Sequence, residues 1–444
     1  MRVQRGAFLF PILGAAVLVA VVAGESITAT PVVDKKVHIA YWEKWTGFEF
    51  EAMKAVVDEF NKSQDKIQVD ILSVSNVEDK TMMSIAGKVP PDVAGLYGAF
   101  VAQYADANAV IPMDEMAREA GISRDQYIES FWDQGVIRGK LYSLPSTPAT
   151  VALHYNRELF KKAGLDPDHP PQTTEELVAM CDKLTVKDKS GHLKVSGFLP
   201  TEPGWWNWVW CPLFGGRLWD GKGKITINEP AAVRGFAWAQ GFAKKYGAQA
   251  ISTQKGGFGG FSSPQNGFLS DQIGMELQGV WMYNFINMFA PKLDWAAVPF
   301  PHPADRPDLA LPTIIDEDVL CIPRGAKHPK EAFEFIKFVE SQKGMELLCM
   351  GQKKLSPLKK VSPEFLAKHP NKYIKLFTDL AYSKNAFATP KLGIWKEYND
   401  ELNATFDTIM LEQKTPQQAM DDLAARMQPK LDTYMRRLQQ RGEL

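Results

Sequence analysis

Only four cysteines occur in the chain, Cys181, Cys211, Cys321 and Cys349, and their wide, irregular spacing matches no zinc-ligand pattern. A chain of this length buries enough surface to fold without staples, so buried free thiols and a single bridge both stay open. Neither sign of charge is in excess: 51 Lys and Arg face 52 Asp and Glu. That balance removes the electrostatic case for nucleic acid or an anionic membrane surface. There is no G-x-x-x-x-G-K-[ST] loop, so ATP hydrolysis of the P-loop kind has no seat here. G-x-S-x-G and H-E-x-x-H are missing too, and with them the hydrolase and metalloprotease readings they carry. The glycines of Gly256–Gly260 neither follow a strand nor open a helix, so they form no nucleotide fingerprint and read as a mobile loop beside a cleft. Repeats and low-complexity tracts are absent, and beyond residue 24 no apolar run is long enough to span a bilayer. No metal and no cofactor is expected.

What is present begins with size. A chain of 444 residues with 45% hydrophobic and 23% charged residues is expected to form two domains, or three, of a soluble globular protein. Arg2 and Arg5 precede an uncharged, mostly apolar run from Ala7 to Gly24. Basic flank, apolar middle and small residues at the end describe a signal peptide over residues 1–24, with cleavage after Ala23 and a periplasmic or extracytoplasmic destination. The competing reading is an uncleaved anchor, because the run approaches spanning length; Pro11 and Gly14 count against a rigid spanning helix. No cysteine stands near the cleavage region, so the usual lipid attachment point is missing.

Tryptophan is concentrated. Five of the twelve fall within fifteen residues, Trp205, Trp206, Trp208, Trp210 and Trp219, interleaved with Pro203, Gly204, Pro212, Gly215 and Gly216. An indole buries about 150–250 Å² when covered, and a Pro/Gly-bounded run cannot turn every ring into one core face. Trp205 and Trp206 are expected on a concave surface that a ligand covers; a flat ring suits the C–H face of a sugar. Trp208 and Trp210 alternate and equally fit a strand with its rings in a core.

The patterning along the chain is that of an α/β protein. Strands are expected at Val37–Trp42, Ile67–Leu72 and Pro91–Tyr97. Helices fall between them at Phe48–Phe60, with Met53, Val56, Val57 and Phe60 on one face, and at about Asp79–Ala86; another starts near Ala99. Two strands, Gly139–Pro145 and Thr150–Tyr155, bracket Ser146-Thr147-Pro148. Thr173 with Glu176 forms a capping box. A helix over Pro230–Tyr246 turns Val233, Phe236, Ala237 and Trp238 inward. Strands Ile273–Leu277 and Asp294–Val298 flank a helix at Trp281–Phe289, strand character returns at Thr313–Pro323, and helices then dominate. Strand-rich sequence near 145–155 and again near 313–323 provides two crossings between lobes. Two crossings leave a cleft, where small ligands bind.

Four segments in order carry a family resemblance. His154-Tyr155-Asn156 through Lys162-Ala163-Gly164-Leu165, followed by Pro171-Gln172-Thr173-Thr174-Glu175-Glu176, resembles the "YN…K-A-G-L…P-x-T-x-x-E" signature of the extracellular solute-binding proteins of ABC importers. Phe268 to Met275 with Gly279-Val280-Trp281 is similar to that family's "F-x-x-G-x-x-A-M…G-x-W". Ala297-Val298-Pro299-Phe300-Pro301 resembles its "V-x-P-x-P", and Pro323 to Ala332 its "P-K-G-S-K-x-x-E-A-A". Asp271, Gly274 and Arg324 depart mildly from the pattern. The resemblance, closest to the carbohydrate-binding branch that includes maltose-binding protein, implies a two-lobed periplasmic-binding-protein-like fold (type II). It implies lobes of 36–146 plus 318–358 and of 147–317 plus 359–444, joined by hinge strands that close on ligand. It also implies a monomer that hands a sugar or oligosaccharide to ABC permease subunits at the membrane, and no catalysis.

The expected ligand contacts follow. Trp42, Glu43 and Trp45 succeed the first strand at its C-terminal edge, which faces the cleft; a carboxylate there can accept paired hydroxyl bonds, though Trp42 also fits a core strand end. Tyr97 ends the third strand at the same edge. Trp281 matches a position that stacks on sugar in carbohydrate-binding relatives, and Trp395 resembles a second stacking tryptophan. Trp205 and Trp206 are added from composition. Of Asp316, Glu317 and Asp318 at the second crossing, Glu317 is the expected hydroxyl acceptor, a solvated turn being the alternative. Two rival readings stay open. One is the same fold holding a polyamine, a phosphate ester or a metal chelate. The other is a glycosidase or lyase, which would need two carboxylates about 5–9.5 Å apart.

Overall fold

The structure is a computed structural model describing residues 36–444. The expected signal segment lies outside the described residues. The strands are β1 (Val37–Glu43), β2 (Ile67–Ser73), β3 (Val93–Tyr97), β4 (Val136–Ile137), β5 (Lys140–Leu141), β6 (Leu144–Asn156), β7 (Val186–Lys187), β8 (Leu193–Phe198), β9 (Ile273–Gly279), β10 (Trp295–Val298), β11 (Thr313–Cys321) and β12 (Ala386–Phe387). One sheet runs β2-β1-β3-β11-β6-β9-β8-β7, with β10 added to β6 and β12 to β11, while β4 and β5 form a hairpin apart.

β1, β2 and β3 are parallel, connected through helices Gly47–Ser63 and Val77–Ala86, as alternating strand and helix patterning requires. Met53, Val56, Val57 and Phe60 pack with Tyr41, Phe335, Ile336 and Leu348 under one face of this half. The opposite face buries Val77, Leu96, Val101, Tyr104 and Val319. In the other half a larger core gathers Phe198, Trp210, Phe236 and Phe300 with Tyr398 and Leu402 from the helix Trp395–Met410. A further core holds Phe268, Met282, Ile286, Trp295 and Phe377. No described helix is long and apolar enough to cross a membrane.

β6 and β11 tie the halves together. They run antiparallel, Ile315 opposite Thr150 and Asp318 opposite Thr147, with a register shift between Asp318 and Val319. Each strand also takes other partners. β11 pairs with β3 over Asp318–Cys321, and β6 with β9 and β10 over Val151–Asn156. Of the two strands expected around Ser146-Thr147-Pro148, the second and the end of the first, from Leu144, form one strand of 13 residues, while Lys140–Leu141 of the first lies in the β4–β5 hairpin. Pro148 is tolerated because β9 begins to pair only at Val151, leaving a local edge where the missing N–H breaks no ladder bond.

Several local expectations change. Trp208 and Trp210 are core residues, 2% exposed each, but they sit on a 3₁₀ turn and a short helix, Trp210–Leu213, whose Pro212 cannot donate to a ladder. In helix Pro230–Tyr246 the inward residues are Ala232, Phe236, Ala239 and Ala243; Ala237 is exposed and Val233 and Trp238 are half-buried. Helix Pro363–Lys368 has no counterpart among the expected elements. The capping box forms, Glu176 N–H donating to Thr173 Oγ1 at 3.2 Å. All four cysteines are free and buried.

Candidate ligand cleft

A cavity of about 800 Å³ opens where the two halves of the sheet meet, along the shared stretch of β11. One wall comes from strand ends in the parallel half. After β1 the chain passes Lys44 and Trp45 into the helix at Gly47, whose φ of 58° is the left-handed turn that glycine allows. Trp45 meets the Tyr97 ring edge-on at 5.7 Å. Its indole N–H donates to Asp318 Oδ2 at 2.9 Å.

Alternation along β11 sorts the three acids. Asp316 and Asp318 share one face. Thr147 Oγ1 donates to Asp318 at 3.1 Å, and Lys44 Nζ pairs with it at 3.1 Å. Burial works against the Lys44 charge, but Asp318 and Glu43 overcome it and hold the ammonium above its usual range. Asp316 has fewer partners. Burial, then repulsion from Asp318, pushes its carboxyl up to about 7, against the pull of Lys354 and Lys44 and a hydrogen bond with the Trp206 side chain. Glu317 points the other way. It is 3% exposed, neither carboxyl oxygen has a hydrogen-bond partner, and burial drives its pKa well upward. It borders the cavity next to Gly98, where an added Cβ would crowd the Glu317 carbonyl at 3.2 Å.

The facing wall is aromatic. Trp205 and Trp206 meet at 5.4 Å and nearly perpendicular, and both lean on Trp281, at 6.3 and 5.9 Å. Trp281 folds back over Gly279, donating its N–H to Gln278 Oε1 at 3.1 Å. Between the walls lies Lys354, buried, its Nζ 3.0 Å from Glu49 Oε1 and 5.3 and 5.7 Å from the Trp45 and Trp281 rings. Both lysines at the inner end are thus already neutralised by carboxylates.

Of the residues expected at a ligand, the structure brings Trp45, Tyr97, Trp205, Trp206, Trp281, Glu317 and Trp395 to the cavity wall. Trp395 is only 5% exposed and packs edge-on against Trp208 at 5.8 Å, so most of its ring belongs to the core. Trp42 and Glu43 are not at the wall. Strand alternation turns Trp42 to the opposite face, against the cluster of Val74, Val77 and Leu96. Glu43 is 1% exposed beneath the site, holding the Tyr41 hydroxyl, the Lys44 N–H at 2.7 Å and the Lys44 ammonium at 3.3 Å. Gly95 leaves the room its carboxylate needs. Glu43 is therefore linked to the cavity only through Lys44, which pairs with Asp318 of the wall. Missed in the sequence were Lys44, Glu49, Phe48, Lys354, Phe261 and Phe285. The uncharged helix Met282–Phe289 was a readable signal for Phe285; nothing around Lys353-Lys354 singles out Lys354.

The comparisons with known proteins agree with this geometry. The chain is similar to the sn-glycerol-3-phosphate-binding periplasmic protein UgpB of Yersinia pestis bv. Antiqua (strain Antiqua), 29% identical over 199 residues, or 43% of each chain. The chain thus matches less than half the length of that curated relative. Among solved structures, CpMnBP1 with mannobiose bound is 26% identical at a TM-score of 0.78, covering 88% of this chain and 99% of that one. The sugar-binding protein MalE of Xanthomonas citri shares the two-lobed fold at a TM-score of 0.75, with 18% identity over 91% of this chain and 100% of that one. These relatives are substrate-binding proteins, not enzymes. The family model described as bacterial extracellular solute-binding protein matches residues 49–346. On that match, over a two-lobed sheet with a cavity between its halves, the chain belongs to the bacterial extracellular solute-binding proteins.

Proposed function

We propose that this chain captures a neutral sugar or oligosaccharide by closing two lobes on it and delivers it to the permease of an ABC importer. The observation that carries the reading is the composition of the cavity: Trp45 and Tyr97 on one wall, Trp206 and Trp281 on the other, Asp316 and Asp318 between. Indole faces supply apolar area, and carboxylates accept hydroxyl hydrogen bonds. Mannobiose in the related structure supports the ligand class. The lobes are taken as 36–146 plus 318–358 and 147–317 plus 359–444, hinged where β6 and β11 lie side by side. Ligand touching both walls favours the closed state by its extra contacts there. The chain acts as a monomer outside the cytoplasm, without turnover.

The names of the curated relatives point to glycerol phosphate instead. The lysines on this cavity's wall argue for a neutral guest: Lys354 is paired with Glu49 and Lys396 with Asp400, so a phosphate meets no unpaired ammonium there. Calorimetry with mannobiose, maltose, sn-glycerol-3-phosphate and spermidine tests the reading, with mass spectrometry of the recovered ligand. Sugar binding with the ligand returned intact is expected. Binding of glycerol phosphate or spermidine alone, or cleavage of the sugar, would overturn it.

A further inference from the structure

Beyond the tryptophan wall the cavity continues into an arm of different chemistry. Trp205 touches Phe261 at 4.6 Å, Phe261 touches Phe285 at 4.5 Å, and Phe285 meets Phe48 of the opposite half at 5.8 Å and stacks with Phe289 at 6.4 Å. Met288 also lines the cavity and is 54% exposed. None of these five side chains beyond Trp205 carries an N–H, an O–H or a carbonyl, and Ser262, next to Phe261 in the chain, adds one hydroxyl to the cavity wall.

The helix behind the arm explains how it stays apolar on both sides. Met282–Phe289 reads Met-Tyr-Asn-Phe-Ile-Asn-Met-Phe, without a single charge. Met282 and Ile286 face the core, 0% and 2% exposed. Phe285, Met288 and Phe289, spaced three and four apart, form a second stripe along the cavity. Such a stripe is costly to leave in water, and the other side chains of the arm continue it.

A sugar ring fits this arm poorly. Each of its hydroxyls needs a partner when water is removed, and an unpaired buried hydroxyl costs more than stacking returns. An alkyl chain or an unsubstituted aromatic ring needs none. The inner end, with Asp316, Asp318 and the tryptophans, has the opposite character. We propose that the natural ligand is an amphiphilic glycoside, its sugar at the acidic inner end and an apolar alkyl or aryl aglycone in the arm lined by Phe48, Phe261, Phe285, Met288 and Phe289. The proposal rests on the sugar reading above and adds the aglycone to it.

The test is calorimetry on the full mature chain with matched pairs: glucose, mannose and maltose, each against its n-octyl glycoside below the micelle concentration. At least one octyl glycoside is expected to bind tenfold or more tighter than its parent sugar, a gain of about 1.4 kcal/mol. In the Phe285→Ala, Met288→Ala double variant, checked by its melting curve, the ratio should fall towards one. Free sugars that bind with no gain from the octyl chain overturn the aglycone proposal and leave the sugar reading standing. So does a gain that survives in the double variant. If neither free nor alkylated sugars bind, both fall.

Discussion

Replacing Gly279 with alanine adds one methyl group at the foot of the Trp281 ring. The backbone can accept it, because Gly279 is not among the residues of positive φ. The ring cannot: the new Cβ would stand 2.5 Å from two of its carbons. Ordinary carbon contact is about 3.5–4.0 Å, so the indole must swing out by roughly 1 Å or more. That movement pulls its N–H from Gln278 Oε1, now 3.1 Å away, at a cost of about 1 kcal/mol. It also tilts the ring face from a bound sugar; losing some 40 Å² of stacked area costs about 1 kcal/mol more. The hydrogen bond is lost in free and bound protein alike and lowers stability, so the area term alone, about 1 kcal/mol, weakens binding, roughly fivefold. Calorimetry on the sugar that binds, with intrinsic fluorescence to follow Trp281, measures this, and Trp281→Ala should match or exceed the loss. An unchanged Kd in Gly279→Ala, in a variant whose crystal structure shows the indole displaced, would refute the argument that this ring is a ligand-bearing surface.

Four further outcomes follow from the buried charges. The Asp316 carboxyl titrates at about 7 because of burial and then Asp318, and its ionised form is the better hydroxyl acceptor. Sugar affinity should therefore climb as pH passes 7 and lose that slope in Asp316→Asn. With its pKa raised on folding, the same group makes the unliganded protein less stable as pH rises from the ordinary carboxylate range to about 7, and denaturation at pH 5 and 8 checks that sign. Lys354→Met strands the Glu49 carboxylate in a buried site and should lower stability by about 3–5 kcal/mol, while Lys354→Met with Glu49→Gln recovers most of it; thermal melts that show no recovery would discount the pair. Glu276 is 1% exposed with both oxygens unpartnered, and burial, then Glu202, raises its carboxyl to about 8. Glu276→Gln should gain on the parent as pH rises towards 8, reaching a few kcal/mol at pH 9, and equal denaturation midpoints at pH 6 and 9 would contradict this.

Much of the fold could be read because its signals are local. β1, β2 and helix Gly47–Ser63 announce themselves by alternation and by Met53, Val56, Val57 and Phe60 at helical spacing. The crossing strands were placed, but not the continuity of β6 through Pro148, which depends on where β9 starts. The cavity residues that were found are those with a local cue: tryptophans beside Gly and Pro, or side chains just past a strand end. Trp42 and Glu43 also had that cue. One-residue alternation sent Trp42 to the opposite face, and Glu43 was drawn under the site by Tyr41 and Lys44. Lys354 and Glu49 lie 305 positions apart and become meaningful only as a pair, which no window along the chain contains.

The pairing of β3 with β11 has a consequence for how the protein is made. Until Cys321 has left the ribosome, the edge of β3 that β11 will cover stays open. The first third of the chain must wait, unfinished, for sequence more than 200 residues downstream. Such a polypeptide cannot complete its leading half early in synthesis, so that half stays open-edged until most of the chain has been made.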